Sequence, residues 1–166
     1  METWIAAIAF VLTAAGCWTD LRRMRIPNVL TASFAVGGFI FHSAWDGWTG
    51  IIEALSGGAA GALPLLLLYR FGGIGAGDVK WFGALGIWAG AVAALQLLAY
   101  SILLAGCLSV LLLSLRLPLL RRWGKRLPWP WGRHPAEPGK GASFPFMLAV
   151  APGYLCLLFG LDGFGM

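Results

Sequence analysis

Two aspartates stand at the borders of apolar runs, an unfavourable place for a carboxylate. Asp20 closes the first apolar stretch and opens Asp20-Leu-Arg-Arg-Met-Arg-Ile-Pro-Asn28; Asp78 closes the glycine-rich turn Gly75-Ala-Gly-Asp78 and is followed by Val79-Lys80. A charge at or near hydrocarbon is costly, so an ionisable residue there points to function. Two carboxylates brought together cannot both ionise cheaply, and one keeps a proton. Such a pair can run acid–base chemistry on water: the ionised member takes a proton from it while the protonated member polarises an electrophile. Each residue also has a plainer reading. Asp78 could cap a helix that begins after the glycine turn, and Asp20 could lie at the surface, ion-paired with Arg22 or Arg23.

The elements that must position these groups are apolar helices. The chain has 166 residues, 59% of them hydrophobic and 11% charged, against roughly 25% charged in soluble domains. A membrane-crossing helix takes about 17–25 apolar residues, so the expectation is an all-α membrane protein. It reads as one integral-membrane domain over 1–166, a bundle of about six transmembrane helices. The spans read as Trp4–Thr19, Asn28–Phe41, Ile51–Tyr69, Val79–Ala93, Leu95–Leu115 and Ser143–Phe159. Pro27 suits the first turn of the second span, where its missing N–H costs nothing, and Pro64 marks a kink in the third. His42–Trp48 reads as a loop with interfacial tryptophans, and Arg70–Asp78 as a glycine-dense loop. The run Val79–Leu115 would reach roughly 55 Å as one helix, against a hydrocarbon core of about 30 Å. It must therefore fold back, and Gly90-Ala91 is the expected place. Gly57-Gly-Ala-Ala-Gly61 offers a small-residue face for close helix packing, or else a weakened helix with no partner.

Charge sets the orientation. All 12 Lys and Arg residues fall after the first, third and fifth spans, seven of them in the basic loop over 116–141. Positive loops face the cytoplasm, which leaves both termini non-cytoplasmic and puts Asp20 and Asp78 at the same, cytoplasmic, face. The same distribution assigns the net charge of +5 to topology rather than to nucleic acid, for which no recognition module is present. Cys17, Cys107 and Cys156 lie in apolar stretches without a Cys-x-x-Cys pair, so they read as packing residues rather than a zinc site. Ala14-Ala-Gly-Cys17 faintly resembles a lipoprotein cleavage site, but Met1-Glu-Thr-Trp4 lacks a basic start, and the segment reads as a retained helix. His42 and His134 fall on opposite sides of the membrane and cannot share a site.

Asp20 with Ile26-Pro27-Asn28, then Gly75-Ala-Gly-Asp78 with Val79-Lys80, resembles the type IV prepilin peptidase family, membrane aspartic proteases of the Gly-x-Gly-Asp type. Phe144-Pro-Phe-Met-Leu-Ala-Val-Ala-Pro-Gly153 is similar to that family's last-helix segment. The resemblance implies that Asp20 and Asp78 are the catalytic pair and that no cofactor or metal is used. Gly75 and Gly77 then supply backbone freedom and close substrate approach, in a mobile lid or a plain tight turn. Pro27 and Asn28 shape the start of the second span, and Lys80 binds lipid phosphate or steadies the ionised pair. The implied substrates are pilin precursors, with a short basic leader and a hydrophobic helix, cleaved at the inner (cytoplasmic) membrane of a bacterium. Larger members carry a long cytoplasmic segment after the first span, often with Cys-x-x-Cys pairs, and methylate the new N-terminus. Only Asp20–Asn28 stands there in this chain. It looks like the small form found with tight-adherence or Flp-type pili, without methyltransferase activity.

Two other classes of function compete. The aspartates could form a proton relay in a small transporter or channel, although Ser33, Gln96, Ser101 and Ser109 are scattered and offer no continuous polar path. A non-catalytic subunit of a pilus assembly is the other, against which the intact pair of aspartates argues. Leu127-Pro-Trp-Pro-Trp-Gly132 reads as an interfacial aromatic segment or a docking surface for pilus machinery.

Overall fold

A computed structural model describes residues 3–115, 117, 128–131, 134 and 144–159. They form four helices, α1 (Thr3–Arg23), α2 (Asn28–Arg70), α3 (Ala76–Ser114) and α4 (Met147–Leu158), and no strand occurs among the described residues. By length and composition α1, α2 and α3 can each cross a membrane. Most of the basic loop over 116–141 lies outside the described residues, as do Glu2 and Asp162.

Neither α2 nor α3 is a single rod. Gly47 interrupts α2 at φ 58°, ψ −128°, and Gly90 interrupts α3 at φ 81°, ψ 169°. Both conformations lie in the positive-φ region that L side chains avoid, so glycine supplies each break. Contacts show that the chain reverses at both. A Cβ placed on Gly77 would lie 3.4 Å from Ile26, Lys80 reaches Asn28, and Trp88 reaches Phe34, so the first limb of α2 runs parallel to the start of α3. Gly57 instead faces Gly86 and Gly61 faces Phe82, so the second limb runs antiparallel to the same stretch. In α3, Asp78 and Ser109 line one cavity although 31 residues separate them. A continuous helix would hold them about 46 Å apart. The fold-back at Gly90 is where the length of the apolar run requires it.

The first limb of α3 is the centre of the molecule. Trp81 and Phe82 are fully buried, with Leu12, Leu65, Leu85, Met147 and Val150 around them. A buried indole or phenol needs a partner for its polar end, and each finds a carbonyl on a neighbouring helix. Trp81 Nε1 donates to Leu12 O (3.2 Å), Trp88 Nε1 to Phe34 O (2.7 Å), and Tyr154 Oη to Ala6 O (2.6 Å). These bonds tie α3 to α1, α3 to α2, and α4 to α1. The opposite face is apolar and exposed, at Val11, Leu67, Leu103 and Val110 among others.

The Gly57–Gly61 face has a partner. A Cβ on Gly57 would fall 2.1 Å from the Gly86 carbonyl oxygen, one on Gly86 2.1 Å from Gly57 O, and one on Gly61 2.2 Å from Phe82 O. Backbone meets backbone here, an approach only small residues permit.

Several boundaries differ from those expected. The first helix runs on to Arg23 and takes Asp20 into its last turns. His42–Asp46 is helix, not loop, because nothing before Gly47 forces a positive φ. Pro27 precedes α2 in an extended conformation (φ −62°, ψ 134°) instead of occupying its first turn. Pro64 sits inside helix, and the only non-helical φ/ψ within α2 is at Gly47. The last helix starts at Met147, after buried Pro145, and not at Ser143, which lies outside the described residues.

Gly57→Val or Gly86→Val should destabilise the fold by about 3 kcal/mol, since no rotamer change moves a backbone carbonyl aside. Gly106→Ala, where an added Cβ meets nothing within 4 Å, should be neutral or gain up to about 1 kcal/mol of helix propensity. Thermal unfolding of the purified protein in detergent reads both.

Candidate active site

Asp20 and Asp78 arrive by different local devices. Asp20 rides the end of α1, which stops at Met24 with φ 50°. The Met24 N–H donates to the Asp20 carbonyl at 2.8 Å, closing the last turn. A left-handed methionine is strained, and the turn it makes sends Arg25-Ile26-Pro27 across to α2. Ile26 is buried there and lies against Gly77, which couples the two motifs.

Asp78 lies in the first turn of α3, whose cap residue is Gly75; Asp78 is therefore not the helix cap. Its N–H donates to Gly75 O at 3.2 Å. A carboxylate in a first turn faces the positive end of the helix dipole, which favours it. Backbone freedom in the preceding turn is used at Gly72 (φ 74°), not at Gly75 or Gly77: Gly75 is extended (φ −78°, ψ 148°) and Gly77 is helical. What Gly75 provides is space, since a Cβ there would fall 3.1 Å from Asp78 Oδ2. Gly77 is less demanding, at 3.4 Å from Ile26.

Both carboxylates line the same cavity of about 550 Å³, between the Gly73–Gly75 turn, the returning limb of α3 and Phe144–Phe146. Both also line a second hollow of about 660 Å³ that opens toward Arg23, Arg25, Asn28 and Lys80. The first has apolar walls at Leu68, Ile102, Ala105, Phe144 and Phe146; the second also presents the side chains of Arg23, Arg25, Asn28 and Lys80. The two aspartates thus stand on the border shared by the two hollows, with basic side chains on one side of it.

Asp20 is 6% exposed, and its Oδ2 accepts the Met147 N–H at 3.2 Å. That N–H belongs to the first turn of α4, so the carboxylate satisfies a donor no helical carbonyl reaches. The ion pair with Arg22 or Arg23 does not form: among the described residues neither aspartate lies within 4.0 Å of a Lys or Arg. Arg22 lies over the Trp18 ring instead, 3.9 Å from its centroid. Lys80 Nζ donates to Asn28 Oδ1 at 2.9 Å, joining the Ile-Pro-Asn and Gly-x-Gly-Asp segments directly.

Some site residues carried no signal of their own in the sequence. Met147 matters through its backbone N–H, and Met24 through its φ. Ile102, Ala105 and Ser109 enter only through the fold-back, although their i, i+3, i+7 spacing marks one helix face. Trp131 Nε1 donates to Leu21 O at 2.9 Å, which seats the Trp-Pro-Trp segment against the turn of helix that carries Asp20.

The model of the type IV leader peptidase family matches residues 6–110, which include both aspartates. The chain is similar to a prepilin leader peptidase/N-methyltransferase of Aeromonas hydrophila, with 30% identity over 95% of this chain and 51% of the relative. A protein of the same description from Aeromonas salmonicida strain A449 matches at 30% identity over 95% of this chain and 50% of its own length. The chain thus spans about half the length of the curated relatives it matches. No solved structure matches it.

The Met147 bond separates two substitutions at Asp20. Asp20→Asn keeps an oxygen to accept the N–H and should melt within about 0.5 kcal/mol of the unsubstituted protein, whereas Asp20→Ala should lose about 1–2 kcal/mol. Thermal or denaturant unfolding in detergent measures the difference.

Proposed function

This chain belongs to the type IV leader peptidase family, and on that premise we propose that it is a membrane aspartic endopeptidase that removes the basic leader from type IV prepilin-like precursors. The observation that carries the reading is the meeting of Asp20 and Asp78, from α1 and α3, on one cavity. One carboxylate is ionised and the other protonated. The ionised group takes a proton from water as the water oxygen attacks the scissile carbonyl carbon. The protonated group gives its proton to the carbonyl oxygen, and a tetrahedral diol forms. Collapse breaks the C–N bond as a carboxyl proton passes to the leaving nitrogen. No acyl-enzyme, metal or cofactor enters the scheme. The apolar cavity would hold the start of the precursor's hydrophobic helix, with the peptide bond before it at the two aspartates.

The same reading takes α1, both limbs of α2, both limbs of α3, and α4 as six crossings of a bacterial inner membrane. Arg22, Arg23, Arg25, Arg70 and Lys80 all belong to the end of the bundle that carries the aspartates, which supports a cytoplasmic site with both termini outside. The limb 76–89 and α4 (12 residues) span only about 21 Å and 18 Å. Both are short against a core of about 30 Å, which fits carboxylates sunk below the membrane surface and reached by water through the two hollows. Lipids surround the bundle, and the Trp129–Trp131 segment is a candidate contact for pilus machinery. Nucleic acid has no place in this reading.

Methylation is named for the relatives, but only Met24–Pro27 separates α1 from α2 here. We assign this chain cleavage without methyl transfer, as in the small tight-adherence or Flp-type form. Among the described residues the proton-relay alternative finds no continuous path. Ser33, Ser101 and Ser109 each donate to a carbonyl of their own helix, at 3.0, 2.7 and 2.7 Å.

Purified protein in detergent should cleave a synthetic precursor with no metal, nucleotide or methyl donor added. The rate should pass through a maximum with pH, because one carboxyl must be ionised and its partner protonated. Asp20→Asn and Asp78→Asn should each lower the rate at least roughly thousandfold while remaining folded. Full cleavage by either variant would sink the aspartic mechanism, and proton leak from liposomes without cleavage would favour the relay.

Topology is tested separately. Reporter fusions after Arg25 and Gly73 should report cytoplasm, and fusions after Trp45 and at Met166 the outside. A cytoplasmic report from Trp45 would overturn the crossing assigned to the first limb of α2.

A further inference from the structure

The reversal at Gly47 brings together three side chains that the proposed reaction does not use. His42 and Asp46 lie one turn apart on the first limb of α2, and Glu53 lies on the second limb. Along a continuous helix Glu53 would stand about 16 Å above His42. Instead, one potential ligand atom from each of the three lies within 4.8 Å of the others. The limbs are held at that spacing by Gly50, where a Cβ would fall 2.1 Å from the His42 carbonyl oxygen and 2.9 Å from Asp46 Cβ.

We propose that His42, Asp46 and Glu53 form a divalent-metal site of the Zn²⁺ type that staples the two limbs of α2 at the end of the bundle remote from Asp20 and Asp78. Three features carry it. First, the His42 side chain is only 12% exposed, and both its ring nitrogens are buried without a hydrogen-bond partner. A buried imidazole in that condition costs stability, and coordination through one nitrogen relieves part of that cost. Second, the donors are one imidazole nitrogen and two carboxylate oxygens. That set suits a first-row divalent ion, with water completing the shell, and two carboxylates cancel its charge. Third, no Lys or Arg occurs between Asn28 and Tyr69, so no cation from this hairpin competes for the carboxylates.

The geometry closes with little movement. Tetrahedral zinc with bonds of about 2.0–2.1 Å holds its ligand atoms about 3.3 Å apart. His42 Nδ1 and Asp46 Oδ2 are already 4.0 Å apart. Asp46 and Glu53 are both exposed and free to rotate inward, while His42 is fixed against Phe41 and Trp88, at 5.5 and 6.4 Å between ring centroids. A rigid buried imidazole flanked by two adjustable carboxylates is a workable site, and the metal bridges limbs that approach closely at Gly50.

The test uses the full chain in detergent, stripped with chelator and dialysed, then titrated with Zn²⁺ by calorimetry and with Co²⁺ by visible absorption. One equivalent should bind, Co²⁺ should develop d–d bands with imidazole ligation, and Zn²⁺ should raise the melting temperature. Glu53→Gln and His42→Ala should each weaken binding at least tenfold and abolish the thermal gain. Metal-free Glu53→Gln should melt with the metal-free parent, which separates lost ligation from lost folding. His134→Ala and a cysteine-free variant should bind as the parent does. Absence of binding by the parent, or undiminished binding by both His42→Ala and Glu53→Gln, overturns the site.

Discussion

The position of Asp78 depends on a contact between two backbones. Where Gly57 and Gly61 of α2 meet Phe82 and Gly86 of α3, no side chain stands between the helices, and a single added Cβ would overlap a carbonyl oxygen. That closeness lets the first limb of α3 fit between both limbs of α2 while keeping its other side for α1 and α4. Trp81 and Trp88 then have carbonyls within reach on α1 and α2. The tryptophan bonds fix the limb's rotation, and rotation decides which way Asp78 points. Between apolar helices in lipid no hydrophobic force separates right from wrong registers, so close packing and a few hydrogen bonds must do it. The glycines are therefore part of the site's architecture although none touches the cavity in which the aspartates meet.

Depth follows from the same arrangement. The central limb of α3 is short because Gly90 ends it, and α4 is short because Pro145 and the Phe144–Phe146 segment precede it. Two short elements side by side leave room at the end of the bundle that carries the aspartates. The cavity and the basic hollow occupy that room, and the returning limb of α3 walls one side of it. In the proposed reaction this lets water reach carboxylates near hydrocarbon without opening a path through the bundle.

Much of this was legible in the chain. Apolar composition dictates helices, the length of Val79–Leu115 dictates a fold-back, and glycine is the residue able to make one at Gly90. The two aspartates could be paired because each stands at an apolar border with every basic residue on the same side. The Gly57–Gly61 run left a packing face and a weakened helix without a partner equally open; Gly86 is hidden among other small residues. What stayed hidden depends on backbone angles or on groups common to every residue. A loop over His42–Trp48 was legible, but nothing in its composition singled out Gly47 as the one residue at which the helix breaks. Met24 adopts a conformation its side chain disfavours, and only the turn around it explains that. The Met147 N–H is a backbone donor, and its role exists only because α4 starts there. Likewise, Glu53 meets His42 only after the reversal, and eleven residues of sequence spacing conceal it.

The distribution of polar groups bears on the rival chemistries proposed for the same two aspartates. A relay needs donors and acceptors spaced across the full thickness of the bundle. Here the buried hydroxyls are spent locally, Thr13 on Ala9 O at 2.7 Å and Ser101 on Leu97 O at 2.7 Å. Such bonds satisfy the hydroxyl within its own helix and leave nothing to hand a proton onward. Trp81, Phe82 and Leu85 fill the centre between the ends. One end then carries the aspartates and cations, the other His42, Asp46 and Glu53, with a dry middle separating them. A dry middle is a defect in a proton channel. In a hydrolase at one membrane face it is useful, because it confines water to the hollows and keeps the charge on the paired carboxylates next to the peptide it must activate.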